Sequence, residues 1–176
     1  MSLDILKYRK EISVVLGTFG ILYLINRKKT KLDSLQDFEK AMSSGQILNP
    51  ILDASRISSK FGNRKNPITF QTHFHNGIDI PAPTGTKLYA PYDSEVTFSG
   101  YNDTGGYQLI LRSGVVKFGY AHLKESPLFK VGDSVKKGQL VGYVGNTGKS
   151  TGSHLHFTLT IDDKKVDPAL YFKSYK

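Results

Sequence analysis

From His154 to Ile161 the chain reads His-Leu-His-Phe-Thr-Leu-Thr-Ile, a strict alternation of polar and apolar side chains. Only a β-strand sorts such a run cleanly, because successive side chains of a strand point to opposite faces. Leu155, Phe157, Leu159 and Ile161 then share a face that fills a core, while His154, His156, Thr158 and Thr160 line the other. The two imidazoles project into one space about 7 Å apart along the backbone, close enough to serve one site without both being forced onto one ion. On the pair alone, two histidines on a solvent-facing strand and two histidines of a site are equal alternatives.

The rest of the C-terminal region has the same character. Short β-rich runs at Leu88 to Ala90, Glu95 to Ser99, Tyr107 to Arg112, Val115 to His122 and Gln139 to Val144 are separated by Gly, Pro and Asp. Ser113-Gly114 stands where a two-residue hairpin turn would join two runs, and Asp162-Asp163 suggests another turn. The expectation is a mainly β, antiparallel domain over residues 51–176. Ahead of it, Leu32, Leu35, Phe38 and Met42 recur at helical spacing, with Asp33 and Ser34 as caps, so residues 32–50 read as a short connecting helix and a linker.

Residues 1–31 are of another kind. The stretch from Ile12 to Ile25 holds no charge and is bracketed by Lys7, Arg9 and Lys10 before it and Arg27, Lys28, Lys29 and Lys31 after it. It is short against the roughly 20 apolar residues of a spanning helix, but snorkelling Lys and Arg extend such a segment. No small-residue cleavage site follows Ile25, so a retained hydrophobic helix that meets membrane lipid through residues 12–25 is expected rather than a cleaved leader. Basic residues are at least as dense after the segment as before it, which by the positive-inside tendency leaves the C-terminal domain in the cytoplasm unless a virus particle or another route carries it out.

The chain contains no cysteine, so disulfides, thiolate metal sites and cysteine nucleophiles are excluded, and any metal must be held by His, Asp or Glu. A net charge of +9 suits contact with a polyanion such as anionic lipid or an anionic cell wall. The excess is spread out, without the dense stripe of a nucleic-acid footprint, so no nucleic-acid partner is expected.

Two further histidines draw attention. His75 and Asp79 are separated by Asn76-Gly77-Ile78; a fully extended strand would hold them roughly 13 Å apart, too far to share a zinc ion with bonds near 2 Å. If they act together the chain must bend at Asn76-Gly77, a pair suited to a tight turn. Two such ligands, a histidine from elsewhere and a water make the arrangement of a catalytic zinc; alternatively Asp79 is a turn-capping carboxylate. His122 ends its run after Tyr120-Ala121, and its value depends on where that strand lies.

Several motifs in a fixed order settle on one resemblance. They are Ser59-Lys-Phe-Gly-Asn-Arg64, His75-Asn-Gly-Ile-Asp-Ile80, Pro83-Thr-Gly-Thr86, Tyr120-Ala-His-Leu123, Val131 to Gln139, Gly145-Asn-Thr-Gly148, His154-Leu-His-Phe157 and Val166-Asp-Pro168. From about Ile57 to Phe172 the chain resembles the lysostaphin/LytM-type zinc endopeptidases of bacterial cell walls. The resemblance implies a LytM-like antiparallel domain and one Zn2+ held by His75, Asp79 and His156. It makes His122 and His154 the histidines that orient the attacking water or stabilise the oxyanion, and bacterial peptidoglycan the substrate. Tyr120 and Asn63 are candidate substrate contacts or equally packing or turn residues, and His73 is expected at the surface. Arg112 and Tyr107 depart from the usual family pattern at positions that shape the groove.

Rival readings are weaker. Gly145 to Thr151 lacks the first glycine of a phosphate loop, which would fall at Tyr143. A carrier domain needs a modifiable lysine at a hairpin tip, and a phosphocarrier has no use for Asp79. A non-catalytic wall-binding or amidase-activating homologue typically loses zinc ligands that this chain retains.

Overall fold

The computed structural model describes residues 33–44, 46–54, 56–65 and 71–172; the uncharged segment 12–25 lies outside the described residues. Helix α1 covers 33–43 and is followed by eleven strands: β1 (Gly62–Lys65), β2 (Thr72–His75), β3 (Ile78–Pro81), β4 (Lys87–Tyr89), β5 (Ser94–Asn102), β6 (Gly106–Ser113), β7 (Val116–Leu123), β8 (Ser134–Val135), β9 (Leu140–Tyr143), β10 (His154–Ile161) and β11 (Lys164–Val166). Among the described residues no helix is long and apolar enough to cross a membrane.

Every strand pairing is antiparallel, as expected from the alternating runs. The large sheet has the order β11-β10-β7-β6-β5-β8, and β3 pairs with β10 on the same edge as β11, one after the other along the strand. Two ribbons, β1-β2 and β4-β9, complete the fold. The β10-β11 hairpin turns on Asp162 and Asp163, both at positive φ (52° and 59°), the geometry of a two-residue turn that matches the strand twist. In the β6-β7 hairpin the two loop residues are Gly114 and Val115, one position beyond Ser113-Gly114, because Ser113 itself pairs with Val116 and Gly114 takes the positive φ of 57°.

The alternation of β10 is realised in full. Leu155, Phe157 and Leu159 are completely buried, and Phe157 packs edge-on against both Tyr120 and Phe172. Burying each such side chain contributes about 1.5–3 kcal/mol. On the same face Phe118 meets Phe38 of α1 at 6.3 Å between ring centroids, and Tyr120 donates its hydroxyl to the Tyr89 carbonyl of β4 at 2.9 Å. The core therefore lies between the apolar face of the large sheet and a layer made of α1 and the β4-β9 ribbon. Asp33 and Ser34 are themselves helical rather than caps; an acidic side chain is favourable near a helix start without capping it. The opposite face of the sheet, with His154, His156 and Thr158, is left for a cleft.

Candidate metal centre and cleft

Antiparallel pairing of β3 with β10 sets Asp79 directly opposite His156, and β7 on the other side sets Ala121 opposite His156, with His122 next in line. The chain bends at Asn76-Gly77, as the spacing requires, and returns His75 from the end of β2 to the same point. Gly77 is needed there. A Cβ would collide with the Phe157 carbonyl and stand 2.9 Å from Thr158 Cγ2 and 3.0 Å from His156 Cε1.

Three atoms converge. His75 Nε2 lies 3.2 Å from Asp79 Oδ1 and 3.1 Å from His156 Nδ1, and His156 Nδ1 lies 2.8 Å from Asp79 Oδ1. The far side of each ring fixes its tautomer. His75 Nδ1 donates to the Lys60 carbonyl at 2.9 Å, which leaves a lone pair on Nε2; His156 Nε2 donates to Asn76 Oδ1 at 3.1 Å, which leaves a lone pair on Nδ1. Two imidazole lone pairs and a carboxylate oxygen thus face one another with no proton between the nitrogens. Such a donor set calls for a cation, and it fits zinc: tetrahedral bonds of about 2.0–2.1 Å place neighbouring ligand atoms about 3.3 Å apart. The same three residues are the grouping among the described residues that could hold a metal ion.

Burial raises the Asp79 pKa, but when His156 and His75 are protonated on the nitrogens that face it their hydrogen bonds and charge outweigh burial and hold the carboxyl far below the usual carboxylate range; a cation in the cage would take the place of those protons. Asp79 is therefore ionised whenever the site is used. Its second oxygen, Oδ2, faces Arg64 Nη1 at 3.6 Å, and Arg64 Nε donates to His73 Nε2 at 2.7 Å. The guanidinium occupies the outer oxygen and leaves Oδ1 for the metal.

The two remaining histidines flank this cage. His154 Nδ1 donates to the Gly152 carbonyl at 2.8 Å, and His122 Nδ1 donates to the Thr147 carbonyl at 2.7 Å. Each anchored ring turns Nε2 towards the cleft. Their ring centroids are 4.8 Å apart, and His154 Nε2 is 3.6 Å from Asp79 Oδ1. His122 sits at φ 62°, a left-handed conformation that costs a non-glycine residue roughly 1–2 kcal/mol and re-aims the ring at the end of β7. Burial pushes its pKa below the ordinary 6.5, against the raising effect of the Thr147 hydrogen bond, so the ring is neutral at pH 7.

The expected metal ligands and cleft histidines are thus brought together. The two candidate substrate contacts are not. Tyr120 is 1% exposed, turned into the core and tied to Tyr89, because β7 places it on the apolar face. Asn63 is exposed on β1 opposite Phe74, the face that points away from His75. Its neighbour Arg64, which pairs across from His73, reaches the site instead. Alternation counted back from His75 would have picked Asn63, which shares its parity; only the β1-β2 register puts Arg64 on the site face. His73 is at the surface, as expected. Asn76, Lys60, Thr147 and Gly152, which orient the imidazoles, were not singled out; three of them act through backbone carbonyls, which side-chain identity does not mark.

The sequence profile of peptidase family M23 matches residues 73–168, the span that holds every one of the four converging histidines. The chain belongs to peptidase family M23. That family is one of zinc metallopeptidases, and the mainly β, antiparallel fold described above is LytM-like. Peptidoglycan DD-endopeptidase ShyC of Vibrio cholerae is 38% identical over 131 residues, covering 73% of this chain and 30% of the relative. Among solved structures, a zinc-containing peptidase from Vibrio cholerae superposes with a TM-score of 0.63 at 33% identity, over 69% of this chain and 37% of that one. The catalytic domain of the antimicrobial peptidase lysostaphin from Staphylococcus simulans superposes with a TM-score of 0.59 at 31% identity, over 66% of this chain and 91% of that one. The chain spans less than a third of the length of the curated relatives it matches.

Proposed function

We propose that this M23 peptidase hydrolyses peptide bonds in bacterial peptidoglycan, at cross-links or within stem peptides. The observation that carries the reading is the cage of His75 Nε2, Asp79 Oδ1 and His156 Nδ1, with two carbonyl-anchored histidines beside it. When bound, zinc supplies Lewis acidity towards a scissile carbonyl and lowers the pKa of a coordinated water. His122 and His154 present Nε2 to the same space. One takes the proton of the attacking water at its Nε2 lone pair and, as an imidazolium, returns it to the amine nitrogen that leaves; the other, once protonated at Nε2, donates a hydrogen bond to the carbonyl oxygen as negative charge develops there. The Thr147 and Gly152 carbonyls hold both rings so that no reorientation is needed during the reaction. The ShyC likeness supports peptidoglycan as the substrate class.

Mass spectrometry of peptides released from purified sacculi by the zinc-loaded chain tests this, with and without chelator and beside His154→Ala. New peptide ends that chelation abolishes are expected, with His154→Ala reducing their rate by about 10²–10⁴. No release from several wall chemistries by a folded, zinc-loaded chain would replace the peptidase with the wall-binding or amidase-activating alternative. We further propose that the uncharged run 12–25 tethers the domain to a membrane, at the cell envelope or in a virus particle; its basic flanks support this. Alkaline extraction of membranes should leave the full chain in the pellet and release a chain lacking residues 1–31. Equal release of both would end the tether proposal.

A further inference from the structure

Beyond the cage, the cleft face of the sheet carries a row of charges. Thr160 of β10 stands between Lys165 on β11 and Lys117 on β7, and the row continues to Arg112 on β6 and Glu95 on β5. Directly paired residues of adjacent strands share a face, so these groups look out on one side of the sheet. Two of the three cations have acidic neighbours: Lys117 Nζ is 2.8 Å from Asp163 Oδ1, and Arg112 lies across from Glu95. Among the described residues Lys165 forms no ion pair; its ammonium reaches back along the sheet and donates to Thr158 Oγ1 at 3.3 Å. Desolvation and the nearby Lys117 charge both push its pKa below the ordinary lysine value, the sign of a cation short of a counter-charge.

The position is what gives this cation meaning. β3 pairs with residues 154–157 of β10 and β11 with 159–161, so Thr158 falls at the gap between the two edge strands. The Asn76-Gly77 turn packs there against Thr158, and Gly119 on the other flank leaves the space that the Thr158 hydroxyl occupies. Thr158 follows the ligand His156 by two residues on the same face, about 7 Å along the strand. An extended peptide advances about 3.3–3.6 Å per residue.

We propose that Lys165 and Thr158, with Lys117 behind them, form a carboxylate-binding subsite that selects peptides bearing a free carboxylate within about two residues of the scissile amide. The proposal rests on the peptidase reading and narrows it. A run of glycines offers nothing to this subsite, whereas an acidic stem peptide does.

The test uses the full zinc-loaded chain carrying His154→Ala, so that ligand persists, and two synthetic cross-linked stem-peptide fragments. They differ only in whether the carboxyl nearest the scissile amide is free or a carboxamide. Calorimetric titration should show the free acid binding roughly tenfold more tightly, the scale of one charge-assisted hydrogen bond. Adding Lys165→Gln should erase that preference and Lys165→Arg should keep it, with zinc content and thermal midpoint unchanged in both. Equal or undetectable binding of the two fragments, or a preference that survives Lys165→Gln, overturns the subsite. Cleavage of both fragments by the chain with His154 intact is followed in parallel. A carboxylate preference in binding without cleavage of either fragment leaves the subsite standing and sinks the peptidase reading instead.

Discussion

Four histidines in the cleft obey one rule: each gives its outward ring nitrogen to an oxygen of the scaffold and turns a lone pair inward. Lys60, Asn76, Thr147 and Gly152 supply those oxygens. Whether a histidine becomes a ligand or a catalytic group then depends on reach, with His75 and His156 meeting Asp79 and the other two standing beside it. For His122 the arrangement has a measurable consequence. Its folded pKa is lowered by burial, so between that value and the unfolded 6.5 the unfolded chain binds a proton that the native chain does not. Stability therefore falls as pH drops through this window, and His122→Gln removes that contribution. Chemical denaturation of both proteins from about pH 7.5 to about pH 5.5 should show the parent losing its advantage over the variant as pH falls. A growing advantage would mean that the folded pKa is raised and the ring is not held neutral.

At the scale of elements, the site depends on strands whose apolar faces are locked into the core. Phe38 is the clearest link between α1 and the sheet, 4% exposed and packed on Phe118 and Tyr171. Truncating Phe38→Ala should cost about 3–5 kcal/mol of stability in denaturant titration while leaving zinc content at one per chain below the transition. A loss under 1 kcal/mol would show that α1 rests on the sheet without being part of its core. The runs that became β4, β5, β6, β7, β9 and β10 were legible as β-rich stretches bounded by Gly, Pro and Asp, and β10 displays alternation without interruption. Strands β1 to β3 were not, since Gly62, Asn76, Gly77 and Pro81 interrupt a segment whose three strands are each four residues long. Which of Asn63 and Arg64 faces the cleft rests on the β1-β2 register, which neither residue's identity carries. Tyr120 stayed open between substrate contact and packing because a motif places a residue in sequence, whereas the parity of β7 decides which face it takes, here the apolar one.

Across the whole molecule, the cage joins residues 81 positions apart, His75 and His156, through strands that touch only after the sheet has formed. Unfolded, the chain has no preformed site, so metal binding and folding are coupled. The resemblance in motif order anticipated the family and the three residues that converge; the inward lone pairs, the Arg64 brace and the surroundings of Lys165 emerge only from the folded registers. Everything proposed for catalysis stands on the cage being a zinc site. Anomalous diffraction at the zinc edge from crystals of the zinc-loaded chain tests that directly. A single peak bounded by His75 Nε2, Asp79 Oδ1 and His156 Nδ1, lost in His156→Ala, is the predicted result; a peak held instead by His122 and His154, or no peak in the cleft, would contradict it.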